Sequence, residues 1–142
     1  MASGEHARAV ESAAGMLGAE VLWETAWKLR RGMELFQVRW ARHCAGGAAL
    51  AEFLRGQPQV REVEYSGEGG RLALRLRAKA DARELVQALR EFAPGRGGGA
   101  EAQVFSPYLS GEGEEPELLY LFAGMSEPQT LIEDIERGLA RL

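Results

Sequence analysis

From Arg71 to Arg77 the chain alternates without a break. Leu72, Leu74 and Leu76 fall on one side, and Arg71, Ala73, Arg75 and Arg77 on the other. A period of two puts successive side chains on opposite faces of an extended backbone, so this run predicts a β-strand with one buried face. Just upstream, Val63 and Tyr65 alternate with Glu62 and Glu64 in the same way, and Ser66-Gly67-Glu68-Gly69-Gly70 between the two runs is short enough for a hairpin. On the polar face this pairing sets glutamates of one strand against arginines of the next, which favours the pairing by about 0.2–1 kcal/mol per opposed pair. A hairpin with one apolar face needs another layer to cover it.

The remaining sequence predicts helices to supply that layer. Val10, Ala13, Ala14, Leu17 and Val21 share one helical face over residues 5–17, although Gly15 and Gly18 weaken that helix. A second helix spans Leu22–Arg31 and stops near Gly32, a C-terminal glycine. The longest runs from Met33 to Leu54, with Phe36, Trp40, Cys44, Gly47, Leu50 and Leu54 three or four apart. Gly46-Gly47 inside it either bends the helix or admits another backbone. Asp81 and Glu84 have capping-box spacing before a stripe of Leu85, Leu89 and Phe92, and Pro94-Gly95 closes that helix. A short strand follows at Gln103–Phe105. Leu118–Ala123 is apolar throughout and reads as a central strand covered on both faces. Ser126, Pro128 and Gln129 open a last helix whose inner face is Leu131, Ile135, Leu139 and Leu142. The fold class is α+β: a small, mainly antiparallel sheet with helices packed on it.

Composition narrows the function. At 142 residues there is room for one core. A net charge of −4 argues against a nucleic-acid partner, and an eight-residue longest apolar run, Leu118–Met125, is far short of the ~20 residues a spanning helix needs. The start lacks an apolar leader core, which sets the expected compartment as the cytoplasm. One cysteine, Cys44, and two histidines, His6 and His43, leave no set of metal ligands.

Several local motifs have a chemical and a structural reading. The Gly-rich loop 95–99 follows a helix and opens none, so a tight or flexible turn explains it better than a phosphate cradle. Arg42-His43-Cys44 offers a Cys/His pair, yet helix neighbours point about 100° apart, and Cys44 lies on the apolar stripe as a buried thiol. Glu114-Glu115 lies in a charged turn and Glu133-Asp134 on the outer face of a helix, where nothing would perturb their ionisation. Trp23 and Trp27 share a helical face, better suited to packing than to a ligand cage. No catalytic, cofactor-binding or metal-binding set assembles from these residues alone.

The order of segments resembles a known family. Thr25–Cys44, with Arg31-Gly-Met-Glu-Leu-Phe36 and Arg42-His43, then Ala51-Glu-Phe-Leu54, then Val63-Glu-Tyr-Ser-Gly67, is similar to successive segments of the Cys/Met-metabolism PLP enzymes. These are the cystathionine γ-synthase, γ-lyase and β-lyase group. Leu118-Leu-Tyr-Leu-Phe-Ala-Gly124 and Leu131-Ile-Glu-Asp-Ile-Glu136 resemble the end of the same family, and residues 95–102 echo its Ser-Leu-Gly-Gly motif more weakly. The resemblance covers the C-terminal domain and the helices leading into it. It implies linking helices at 1–32 and a small compact α/β domain at 33–142.

The resemblance also implies what is missing. The family lysine that holds PLP lies in a Ser-x-Thr-Lys motif in the larger domain, before the region this chain matches. Lys28 and Lys79 have no such setting. The family arginine that binds the substrate carboxylate falls on Tyr120, and the serine of its Gly-Gly loop falls on Arg96. Arg96 and Tyr120 are therefore the candidate ligand pocket, with Arg96 restoring the lost charge. No cofactor is expected in this chain alone, and PLP enters only if a partner chain brings the lysine. Trp23, Trp27, Phe36 and Trp40 are the candidate interface, in a homodimer or in a complex with a PLP-enzyme chain. The first functional reading is a non-catalytic accessory or structural subunit. The alternatives are half of a split PLP lyase or synthase, and a module that binds an amino acid or a carboxylate.

Overall fold

The computed structural model describes residues 4–19, 21–79 and 81–142, without the side chain of Glu5. The first residues, Met1–Ser3, on which the reading of the chain start partly depends, lie outside these. The chain divides into two compact units, Met1–Gln37 and Val38–Leu142.

The first unit holds helices α1 (Gly4–Met16) and α2 (Trp23–Glu34), and the long helix α3 (Phe36–Arg55) begins at its end. Contrary to the expected stop near Gly32, α2 runs through that glycine. Gly32 is not among the glycines with positive φ, so it makes no left-handed cap. None of the α2 residues is buried. Trp23 stays 77% exposed and Trp27 54%, the latter beneath the Arg31 guanidinium at 5.4 Å.

The second unit is built on a five-stranded sheet of order β1-β2-β5-β4-β3, with β1 at Val60–Glu64, β2 at Arg71–Leu76, β3 at Ala93–Pro94, β4 at Gln103–Phe105 and β5 at Leu118–Phe122. All pairings are antiparallel except β3 with β4. The expected α+β class and hairpin are present, and Leu72, Leu74 and Leu76 do point into the core. They meet Leu50 and Leu54 of α3, Leu85 of α4 (Asp81–Ala88), and Leu131 and Ile135 of α5 (Pro128–Leu139). Each of these aliphatic side chains, fully removed from water, stabilises the unit by roughly 1.5–3 kcal/mol relative to exposure.

The Gly46-Gly47 pair admits a backbone and does not break the helix. A Cβ on Gly47 would lie 2.4 Å from the Gly69 carbonyl oxygen, and one on Gly46 would lie 2.8 Å from Ala123 Cβ. The hairpin turn can thus sit directly on α3.

Four local expectations are corrected. Helix α4 ends at Ala88, before Phe92, because the Asp134 carboxylate draws the backbone N–H groups of Arg90 and Glu91 out of the helical path. Pro94 then enters the short parallel strand β3 and does not simply close a helix. The N-cap of α5 is Glu127, not Ser126, and it makes no side-chain cap; Gln129 donates to Glu133 one turn on. Strand β5 is central, but only Leu119 and Leu121 face the main core, while Tyr120 and Phe122 are half-buried on the opposite face. No helix among the described residues is long and apolar enough to cross a membrane.

Candidate functional site: an arginine–aromatic face

The face of the sheet away from α4 and α5 carries the residues the sequence singled out. Tyr120 sits in the middle of β5, opposite Ala73 of β2 and Phe105 of β4. The Phe105 and Tyr120 rings lie side by side, 6.4 Å between centroids and 17° apart in plane. Arg96, in the loop after β3, holds its guanidinium 4.6 Å over the Phe105 ring and forms an ion pair with Glu112. Arg96 and Tyr120 therefore share a face, but Phe105 connects them and Glu112 already occupies Arg96.

The cation next to Tyr120 is a different one. Arg71 places its guanidinium 4.6 Å over the Tyr120 ring. The sequence grouped Arg71 with arginines facing glutamates, but β1 ends with Glu64 opposite Ala73, so Arg71 lies past the end of that strand and pairs with Phe122. The charge-matched face is concentrated on Arg75, which bonds Glu115 at 3.0 Å, Glu62 at 3.4 Å and also Glu64. Hydrogen bonds to Glu115 and then Glu64 hold the Arg75 guanidinium well above its ordinary pKa. The signal that could have separated Arg71 from Arg75 is hairpin register, which depends on where β1 ends.

Beside Arg71 and Tyr120 opens a groove of about 770 Å³, bordered also by Trp40, Tyr65, Ser66 and Glu68. The Tyr65 hydroxyl donates to the carbonyl oxygens of Gly69 (3.0 Å) and Cys44 (3.3 Å). Burial, then Cys44 and Glu68, push its pKa up from 10.0. The Cys44 thiol is half-buried, not fully buried as expected, because it faces the turn, where Sγ accepts the Gly69 N–H at 3.1 Å.

The other candidates resolve into structure. In the Gly-rich loop, Gly97 has φ 86° and its N–H donates to Gln103 Oε1 at 2.7 Å, while a Cβ there would lie 2.3 Å from Phe122. The loop is a tight turn that packs on the sheet. Glu115 serves Arg75. Asp134 is the clear correction: expected on a solvated face, it is 1% exposed and accepts N–H groups from Arg90 and Glu91. Trp23, Trp27, Phe36 and Trp40 are all exposed to different degrees; Trp40 lies over Gly69. Among the described residues no group of three or more His, Cys, Asp or Glu could hold a metal.

A sheet of this topology, flanked by these helices, matches known enzymes. The model of the Cys/Met metabolism PLP-dependent enzyme family matches residues 2–82. The chain is 32% identical over 130 residues to cystathionine γ-synthase of Haemophilus influenzae, an alignment covering 82% of this chain and 35% of that protein. It is 28% identical over 129 residues to a cystathionine γ-synthase/O-acetylhomoserine (thiol)-lyase of Bacillus subtilis, with the same shares covered. The crystal structure of apo CalE6, a methionine γ-lyase from Micromonospora echinospora, superposes with a TM-score of 0.81 at 26% identity, covering 97% of this chain and 42% of that one. The chain belongs to the Cys/Met metabolism PLP-dependent enzyme family, and it spans about 35% of the length of the curated relatives it matches.

Among the described residues, neither lysine is set for a PLP Schiff base. Lys28 and Lys79 are both exposed, one in each unit, and neither borders the groove. The Gly-rich loop 95–99 spends its Gly97 N–H on Gln103.

Proposed function

We propose that this chain acts by association, as a non-catalytic accessory or structural subunit of a trans-sulfuration-type PLP enzyme in the cytoplasm. Its partner is a polypeptide that carries the PLP lysine, or a second copy of this chain; neither nucleic acid nor membrane takes part. The observation that carries this reading is α2, a twelve-residue helix with Trp23, Trp27, Leu29 and Met33 all exposed and no residue buried. Exposed large apolar side chains grouped on one helix mark a surface that associates with a partner. Aromatic residues on such a patch are the side chains that contribute most to association.

A second reading is half of a split lyase or synthase, with the lysine on a separate chain. It draws support from the groove, where Tyr120 and a cation stand together on a face left open.

The test is affinity isolation from the native cells, comparing the wild type with a Trp23→Glu/Trp27→Glu variant. Co-elution with a lysine-bound PLP chain, or self-association, is expected for the wild type and lost in the variant. Recovery of a free monomer, or a complex indifferent to the two substitutions, would overturn the proposal.

A further inference from the structure

The two units are stabilised very differently. Among the described residues every buried hydrophobic side chain, from Leu50 to Leu139, belongs to the second unit. In α1 and α2 only Ala14 and Gly32 are even half-buried among the described residues. Helix α1 has 13 residues and α2 has 12. Helices of that length are marginal in water by themselves, because nucleation fixes several dihedrals for a single hydrogen bond. In folded proteins the packing of an apolar face supplies most of the missing stability.

The local features of α2 do not make up for this. Its N-cap is Leu22, whose carbonyl oxygen accepts the Ala26 N–H at 3.0 Å but whose side chain offers no acceptor to the first-turn N–H groups. Gly32 stands in the last turn, where glycine is a poor helix former. The Arg30–Glu34 pair spans 3.9 Å with side chains 81% and 65% exposed, so solvent screens it. Its order, cation before anion, is also the less favourable one on a helix. Arg31 over the Trp27 ring is likewise an exposed contact. Meanwhile Leu22, Ala26, Leu29 and Met33 recur four, three and four apart. They make a continuous apolar stripe only in the helical form, so covering the stripe favours the helix.

From this we infer that the first unit is a fold-on-association arm. In the free chain α2 is helical for less than half of the time while the second unit stays folded, and the remaining order is left for association to supply. Ordering the arm then lowers affinity and makes it adjustable through helix propensity alone. The inference extends the associating role proposed above, but it is tested on the free chain, so its failure leaves that role standing.

The test is NMR of the full chain, with Cα shifts read as helix fraction residue by residue, over a dilution series that reaches the free chain. Less than half helix is expected at residues 23–34 at the lowest concentration, beside native shifts at Leu72, Leu74, Leu131 and Ile135. Leu22→Asp supplies the missing cap and should raise the helix-to-coil ratio of α2 about fivefold, with the second unit unchanged. Asp134→Asn, which loosens α4 and α5, should speed their amide exchange and leave the α2 shifts where they were. The inference is overturned if α2 is more than half helical at the lowest concentration, if Leu22→Asp leaves its ratio unchanged, or if α2 responds to Asp134→Asn in step with the second unit.

Discussion

Asp134 on α5 reaches across 44 residues of sequence to accept the backbone N–H of Arg90, at 2.9 Å from one carboxylate oxygen and 3.1 Å from the other. The Glu91 N–H joins it at 2.8 Å, and Arg137 closes the arrangement as an ion-pair partner. A buried carboxylate thus terminates α4 and fixes it to α5. Replacing Asp134 with Ala takes the acceptor away from two N–H groups in part-buried bonds. Because each unsatisfied buried group costs about 1–3 kcal/mol, Asp134→Ala should destabilise the second unit by roughly 2–4 kcal/mol, and Asp134→Asn by less. Urea unfolding of the two variants checks this.

Gly97 is held between its own left-handed backbone and the Phe122 ring. Gly97→Ala adds a Cβ that would lie 2.3 Å from that ring at φ 86°. The expected loss is about 1–3 kcal/mol, from overpacking and the strained backbone together. Adding Phe122→Ala should recover only the overpacking part, so the double variant is less than additive in a double-mutant cycle.

Arg75 gathers Glu62, Glu64 and Glu115, which ties both strands of the hairpin to the turn before β5. Arg75→Met should cost about 1–2 kcal/mol in low salt, since charge-assisted bonds are lost and the glutamates are left crowded. The difference from wild type should shrink in high salt, because ions screen exposed charges. Denaturation curves at two ionic strengths measure it.

Tyr65 makes stability depend on alkaline pH. Its folded-state pKa is raised, so above the ordinary value of 10.0 the unfolded chain loses this proton first. The folded form then binds more protons than the unfolded one, and stability falls as pH climbs from about 10 through the raised folded value. Tyr65→Phe should flatten that part of the curve while costing about 1 kcal/mol at neutral pH, because the bonds to Gly69 and Cys44 are lost. Unfolding measured between neutral pH and pH 11 tests both halves.

Much of the fold was legible because periodicity reports burial. Leu72, Leu74 and Leu76 announced a strand, Leu131, Ile135 and Leu139 a helix face, and both point into the core. Gly46-Gly47 was legible as a close approach. Features set by distant partners were not. Nothing near Asp134 shows that Arg90 and Glu91 will need an acceptor, so a charged residue on a helix read as solvated. Of the candidate pocket, Tyr120 came from the family resemblance, whereas the guanidinium over its ring, that of Arg71, depends on where β1 stops pairing with β2, a register that local pattern does not reveal.

Neither Lys28 nor Lys79 borders the groove, and the proposed role therefore places PLP chemistry on an associated chain. Incubation of the purified chain with PLP, borohydride reduction and peptide mass spectrometry test it directly. The account predicts only sparse labelling spread over Lys28, Lys79 and the amino terminus. One pyridoxyl group per chain, concentrated on a single lysine, would contradict it.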